Sequence, residues 1–133
     1  MKKTILLTAI PFLFLSLLSF ITVVQQEPWN VPDKYNKLVN PVKSSPETVA
    51  LGKSLWMVHC KSCHGAAGKG DGPKIAQLGI DCSDFSTPEF QKQSDGALYY
   101  KTNEGRDYMP SFKKKIPGEN EIWALVNYMR TLK

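Results

Sequence analysis

The sequence predicts an all-α domain whose helices wrap a single ligand, on three observations. Apolar residues recur at three- and four-residue spacing in two stretches, as Val49, Gly52, Trp56 and Cys60 in the first and as Ile122, Leu125, Val126, Met129 and Leu132 in the second. No alternating run long enough to organise a sheet appears anywhere in the chain. Between the two stretches, glycine and proline crowd into what read as loops around a ligand. At 133 residues the chain allows one such domain, and composition divides it into an apolar segment over 1–24, a proline-rich arm or tether over 25–45 and the helical domain over 46–133.

In chain order, Lys2 and Lys3 precede an uncharged run bounded by Ile5 and Val24, the pattern of a secretory n-region and h-region, so the remainder is expected to be exported. The run is long enough to span a bilayer and no A-x-A-like cleavage site follows it, which favours a retained membrane anchor; Pro11 and the Ser and Thr residues within it favour a cleaved signal peptide. With Lys2 and Lys3 inside, the domain faces outward in both cases. The arm carries Pro28, Pro32 and Pro41 and few periodic apolar residues, so it is expected to be extended, with Trp29 and Tyr35 as ordinary packing contacts.

Ser45-Pro46-Glu47 is a helix start, with an N-cap hydroxyl, proline at the first helical position and an acid in the first turn. The helix should run to the Cys60 region, with Gly52 allowing a second helix to approach closely. Residues 65–79 hold five glycines and Pro73 and read as a loop without the Walker spacing of a phosphate cradle, and the loop continues through Cys82 to Phe85. Ser94 and Asp95 cap a helix that Gly105 ends. A final helix is expected over 118–133, with Glu119 and Glu121 in its first turn and Arg130 and Lys133 in its last.

Within this frame, Cys60-Lys61-Ser62-Cys63-His64 is a Cys-x-x-Cys-His motif, the attachment signature of c-type haem. Two thiols on one turn can each add to a vinyl group on one porphyrin edge, and the histidine directly after Cys63 reaches the iron from the same side. A zinc site would want four Cys or His ligands, and only Cys60, Cys63, Cys82, His59 and His64 exist to supply them. A thioredoxin-like dithiol would sit in a βαβ pattern, which is absent. Met57 and Met129 lie on helices and are expected to pack, and His59 is expected at the surface.

With this motif on the first helix, a later Met109-Pro110 and an amphipathic C-terminal helix, residues 46–133 resemble the class I cytochromes c of the small bacterial kind. Gly52, Trp56 and Cys60 match the family's spacing on the first helix, and Leu125 and Tyr128 match the pattern on the last. The resemblance implies a cytochrome c-like fold around one covalently attached haem c and its iron. It also implies that Cys60 and Cys63 form the thioethers, that His64 and Met109 are the proximal and distal ligands, and that Pro73 offers its carbonyl to the His64 ring N–H. Cys82 departs from the pattern and is expected to be a small packed thiol.

The function so implied is single-electron transfer in an exported respiratory chain, between a quinol-oxidising complex or dehydrogenase and a terminal oxidase or reductase, with no enzymatic turnover. The alternatives are a haem enzyme or gas sensor with an exchangeable sixth ligand, and a fixed subunit of a larger membrane complex. Seventeen Lys and Arg against 12 Asp and Glu give a net charge of +5, scattered except at Lys113-Lys114-Lys115. That distribution speaks against nucleic acid and leaves acidic redox proteins, donor and acceptor, as partners.

Overall fold

A computed structural model describes residues 28–116 and 118–133, so the expectations for residues 1–24 lie outside the described residues. Seven helices form among them: α1 (Asp33–Asn36), α2 (Pro46–His59), α3 (Lys61–His64), α4 (Pro73–Leu78), α5 (Pro88–Gln91), α6 (Asp95–Glu104) and α7 (Glu119–Met129). Among the described residues no strand is present, only an isolated bridge between Arg106 and Met109. The fold is all-α, as predicted. No helix among the described residues is long and apolar enough to cross a membrane.

Helix α2 begins where Ser45 accepts the Thr48 N–H at 3.3 Å while Thr48 Oγ1 accepts the Ser45 N–H at 2.9 Å, with Pro46 at the first helical position. This reciprocal capping satisfies two otherwise orphaned donors, and one such cap is worth about 1 kcal/mol. The apolar stripe of α2 then meets that of α7 at Gly52. A Cβ there would lie 2.2 Å from the Ala124 carbonyl oxygen and 2.8 Å from Tyr128 Cβ, so the two backbones cross where only hydrogen fits. Trp56, Leu125 and Val126 are fully buried at this crossing, which makes it the centre of the core.

At its far end α7 is fastened to the α5–α6 region by Arg130. The guanidinium donates to Asp95 Oδ1 from Nε and Nη2 at 2.8 and 2.6 Å, and to the carbonyls of Gln91 and Gln93 at 2.8 and 2.6 Å. The helix itself stops at Met129, so Leu132 and the two C-terminal cations sit beyond it, although Leu132 still packs on the core.

The described part of the arm, residues 28–45, is not simply extended. It holds one helical turn, α1, and Tyr35 lies with its ring centroid 4.6 Å from that of Tyr100 on α6. Asn40 donates to the Trp123 carbonyl and to Asn127 Oδ1, and Asn127 donates back to the Val42 carbonyl at 3.0 Å. Two side-chain amides supply here what the arm's apolar residues do not. Trp29 likewise does more than pack, since its ring faces Lys101 and Arg106 at 5.6 and 4.7 Å.

Helix α4 falls where a loop was expected, and α5 lies in a stretch for which no element was expected. Pro73 stands at the first position of α4 and Gly79 caps it in the left-handed conformation; Thr87 caps α5 by accepting the Phe90 N–H. Proline before and glycine after a short apolar stretch are helix punctuation as well as loop composition.

Candidate functional site

The Cys-x-x-Cys-His residues occupy a bend. Cys60 closes α2 by donating its N–H to the Trp56 carbonyl and opens α3, where the N–H groups of Cys63 and His64 both donate to the Cys60 carbonyl at 3.1 and 2.9 Å. Both thiols and the imidazole thus lie within one turn. The following loop folds back on the motif, with the N–H of Gly70 donating to the His64 carbonyl and that of Gly72 to the Cys63 carbonyl, each at 3.0 Å.

The three side chains line a cavity of about 590 Å³, within the size range of small-molecule and cofactor sites. Met109 lines the same cavity from the loop after α6. That loop is held by a tight turn in which Arg106 and Met109 exchange both backbone hydrogen bonds, at 2.8 and 2.9 Å, across Asp107 at φ 52°. The Phe112 and Lys113 N–H groups then donate to the carbonyls of Thr102 and Asn103 at the end of α6. Met109 is therefore presented by an anchored segment.

The His64 ring is fixed by its neighbours. Phe85 meets it edge-on at 4.8 Å between centroids, Trp56 stands at 5.6 Å, and the Trp56 indole donates to the Gly65 carbonyl at 2.9 Å. Burial pushes the His64 imidazole down to about 4, so the ring is neutral near pH 7 and offers a lone pair. Burial, and secondarily the neighbouring Cys63, pushes the Cys60 thiol up to about 12.

The residues present fit a haem held at this cavity. Val58 and Tyr108 are 76% and 69% exposed in the chain alone, yet both line the cavity together with Leu78. Large apolar side chains left open around a cavity carrying two thiols, a neutral imidazole and a thioether are what a flat apolar macrocycle with a metal centre would cover. Among the described residues no group of three or more His, Cys, Asp or Glu side chains is arranged to hold a bare metal ion.

Other residues of the sequence reading fall as follows. Pro73 is the first residue of α4 and does not line the cavity. The Cys82 sulfur lies 3.0 Å from His64 Nδ1. Cys82, expected as a packed thiol without a role, is thus part of the site; its odd number was visible in the sequence, but its partner was not. His59 lines the cavity, with its ring 6.0 Å from Phe112, and is not simply a surface residue. Trp29, Lys101 and Arg106 also reach the cavity wall, and nothing in their spacing announced it. Of the methionines expected to pack, Met129 is buried while Met57 is 42% exposed.

Comparisons with known proteins agree with this geometry. The family model described as Cytochrome c matches residues 49–133. Among solved structures, a chain of the Kuenenia stuttgartiensis reducing HAO-like protein complex Kustc0457/Kustc0458 is similar with a TM-score of 0.62 and 31% identity, over 69% of this chain and 46% of that one. This chain therefore spans just under half the length of that relative. The KustC0563 c-type cytochrome is similar with a TM-score of 0.55 and 34% identity, over 62% of this chain and 96% of that one. A point mutant of the same protein gives 0.52 and 36%, over 62% and 98%. No curated protein matches.

Proposed function

Because the chain belongs to the cytochrome c family, as an electron-transfer protein carrying covalently bound haem c and its iron, we propose that it is a mono-haem carrier of single electrons and not an enzyme. Its donor would be a quinol-oxidising complex or dehydrogenase and its acceptor a terminal oxidase or reductase. The observation that carries this reading is the convergence of Cys60, Cys63, His64 and Met109 on one cavity.

In this reading Cys60 and Cys63 hold the haem through thioether bonds, and His64 and Met109 are the residues that would ligate its iron. Bound in this way, the haem supplies reversible one-electron chemistry. The protein supplies the rest. His64 is kept neutral by burial and fixed in orientation by Phe85 and Trp56. Met109 brings a soft, uncharged sulfur that favours the reduced metal, on a loop tied by backbone hydrogen bonds to the end of α6. Phe85 stacks on Phe90 at 3.8 Å and, with Trp56, is buried against the His64 ring. Lys2, Lys3 and the uncharged run after them support an exported domain, either released or tethered by residues 1–24.

One structural neighbour is a chain of a protein complex, which favours as a second reading that this chain is a fixed electron-transfer subunit. A redox-titrated absorption spectrum of the purified protein tests the first reading. One covalent haem retained by the denatured chain, a low-spin ferric spectrum with a weak sulfur-to-iron band in the red, and a one-electron titration are expected. A high-spin spectrum that responds to added small ligands would replace the carrier with a haem enzyme or gas sensor. Co-purification with a stoichiometric partner through size-exclusion chromatography would select the subunit.

A further inference from the structure

We propose that the arm is a working part of the haem site: Trp29 clamps a pair of cations, Lys101 and Arg106, that take the carboxylate side chains of the macrocycle and so close the edge of the cavity away from the thiols. The inference rests on the haem-binding reading above and goes beyond it, because the match to the family begins at residue 49 and leaves the arm out. Trp29, Lys101 and Arg106 all line the cavity, with the ammonium 5.6 Å and the guanidinium 4.7 Å from the centroid of the Trp29 ring. Both distances are attractive for a cation over an aromatic face. Helix α6, which carries Lys101, packs on α1 and α7 and touches neither α2 nor α3, so the cavity lies between Lys101 and the turn that holds Cys60 and Cys63. Thioether bonds at those cysteines use the two vinyl groups, and the two propionates leave the porphyrin on the opposite edge. A macrocycle held by its vinyl edge therefore turns its carboxylates toward the far wall.

The charge on that wall calls for an anion. Arg106 pairs with Asp107 at 3.3 Å, whereas Lys101 makes no ion pair among the described residues and donates to the Gln93 side-chain carbonyl. Burial, and secondarily the neighbouring Arg106, holds the Lys101 ammonium below its usual range. Two partly buried like charges that share one ring repel, and a ligand edge carrying two carboxylates brings the signs into balance. Trp29 is set against the cations by the footing of the arm itself. Helix α1 lies on α6, with the Tyr35 and Tyr100 ring centroids 4.6 Å apart and the Tyr35 carbonyl oxygen where a Cβ at Gly96 would have to stand. Asn40 and Asn127 fasten the next part of the arm to α7. The indole is thus delivered to the cavity by contacts that do not depend on the haem.

The test uses the full-length haem-loaded protein. In the diamagnetic ferrous state of the wild type, nuclear Overhauser contacts are expected between the Trp29 indole protons and the propionate methylenes of the haem. Lys101→Gln removes a positive charge beside the haem, so at a given potential the ferric-to-ferrous ratio should rise about fourfold, the weight of one charge about 10 Å away at an effective dielectric constant of about 40. Lys101→Arg keeps the charge and should stay at the wild-type ratio. Trp29→Ala opens the edge to water, which solvates the extra charge of ferric iron, and should raise the ratio in the same direction; Trp29→Phe keeps an aromatic face and should recover part of the shift. Absence of the indole–propionate contacts, or a wild-type ratio in Lys101→Gln, would overturn the inference while leaving the haem reading intact. So would an equal rise in Lys101→Arg, because charge would not be its cause. Wild-type protein without covalent haem would overturn both.

Discussion

Replacing Gly52 by alanine sets two effects of opposite sign against each other. In a helix interior, Gly→Ala stabilises by about 1 kcal/mol through propensity alone. At this crossing, however, the added methyl would sit 2.2 Å from a backbone oxygen of α7, and neither backbone can move independently of its helix. A carbon and an oxygen need more than about 3 Å, so α2 and α7 must part by about 1 Å at their closest point, loosening the packing of Trp56, Leu125 and Val126. Overpacking of this kind costs about 1–3 kcal/mol, and partial loss of three large contacts places it at the upper end, near 3 kcal/mol. The net expectation is destabilisation of about 2 kcal/mol, which in a domain of this size lowers Tm by roughly 8–16 °C. Thermal unfolding of the haem-loaded protein, followed by near-ultraviolet circular dichroism, reads it directly. A Tm equal to or above wild type would mean that propensity wins and that the two helices are not held in contact at Gly52.

Met109→Ala should remove the red sulfur band and lower the reduction potential by at least about 59 mV, a tenfold change in the one-electron equilibrium; an unchanged band and potential would take Met109 off the metal. Reversing Lys113, Lys114 and Lys115 to Glu should slow electron transfer to an acidic acceptor several-fold at low ionic strength, with the gap closing as salt rises, because Lys115 lies on the cavity wall and the run is exposed; equal rates at low salt would leave the run as a solubilising surface.

What could be read in the sequence follows from how local its cause is. Cys60, Cys63 and His64 share one turn, so their spacing alone carried the chemistry, and the stripes containing Gly52 and Leu125 defined two faces that had to meet. The caps at Ser45 and Ser94 were equally legible, because capping is decided within four residues. Helices α4 and α5 were missed because they are too short to show a period, and glycine or proline in them reads equally well as loop. The contact between Cys82 and His64 joins residues 18 apart through a glycine-rich turn whose path no local pattern specifies. The same holds for Asn40 and Asn127, which are 87 residues apart, and for the seating of Trp29 beside Lys101 and Arg106. Side chains that act across the fold stay silent until the fold is known.

The crossing of α2 with α7 also governs the order in which this molecule can assemble. The two halves of its core are separated by the 59 residues 60–118, so neither helix has its apolar face covered until the other has been made. Closing a loop of that length costs about 4 kcal/mol of chain entropy before any contact repays it. During synthesis the first helix and the Cys-x-x-Cys-His turn therefore emerge long before the partner that buries Trp56. In that interval the two thiols stand on a nascent, solvent-accessible turn. The domain's topology thus presents its attachment point before the core that supports it is complete.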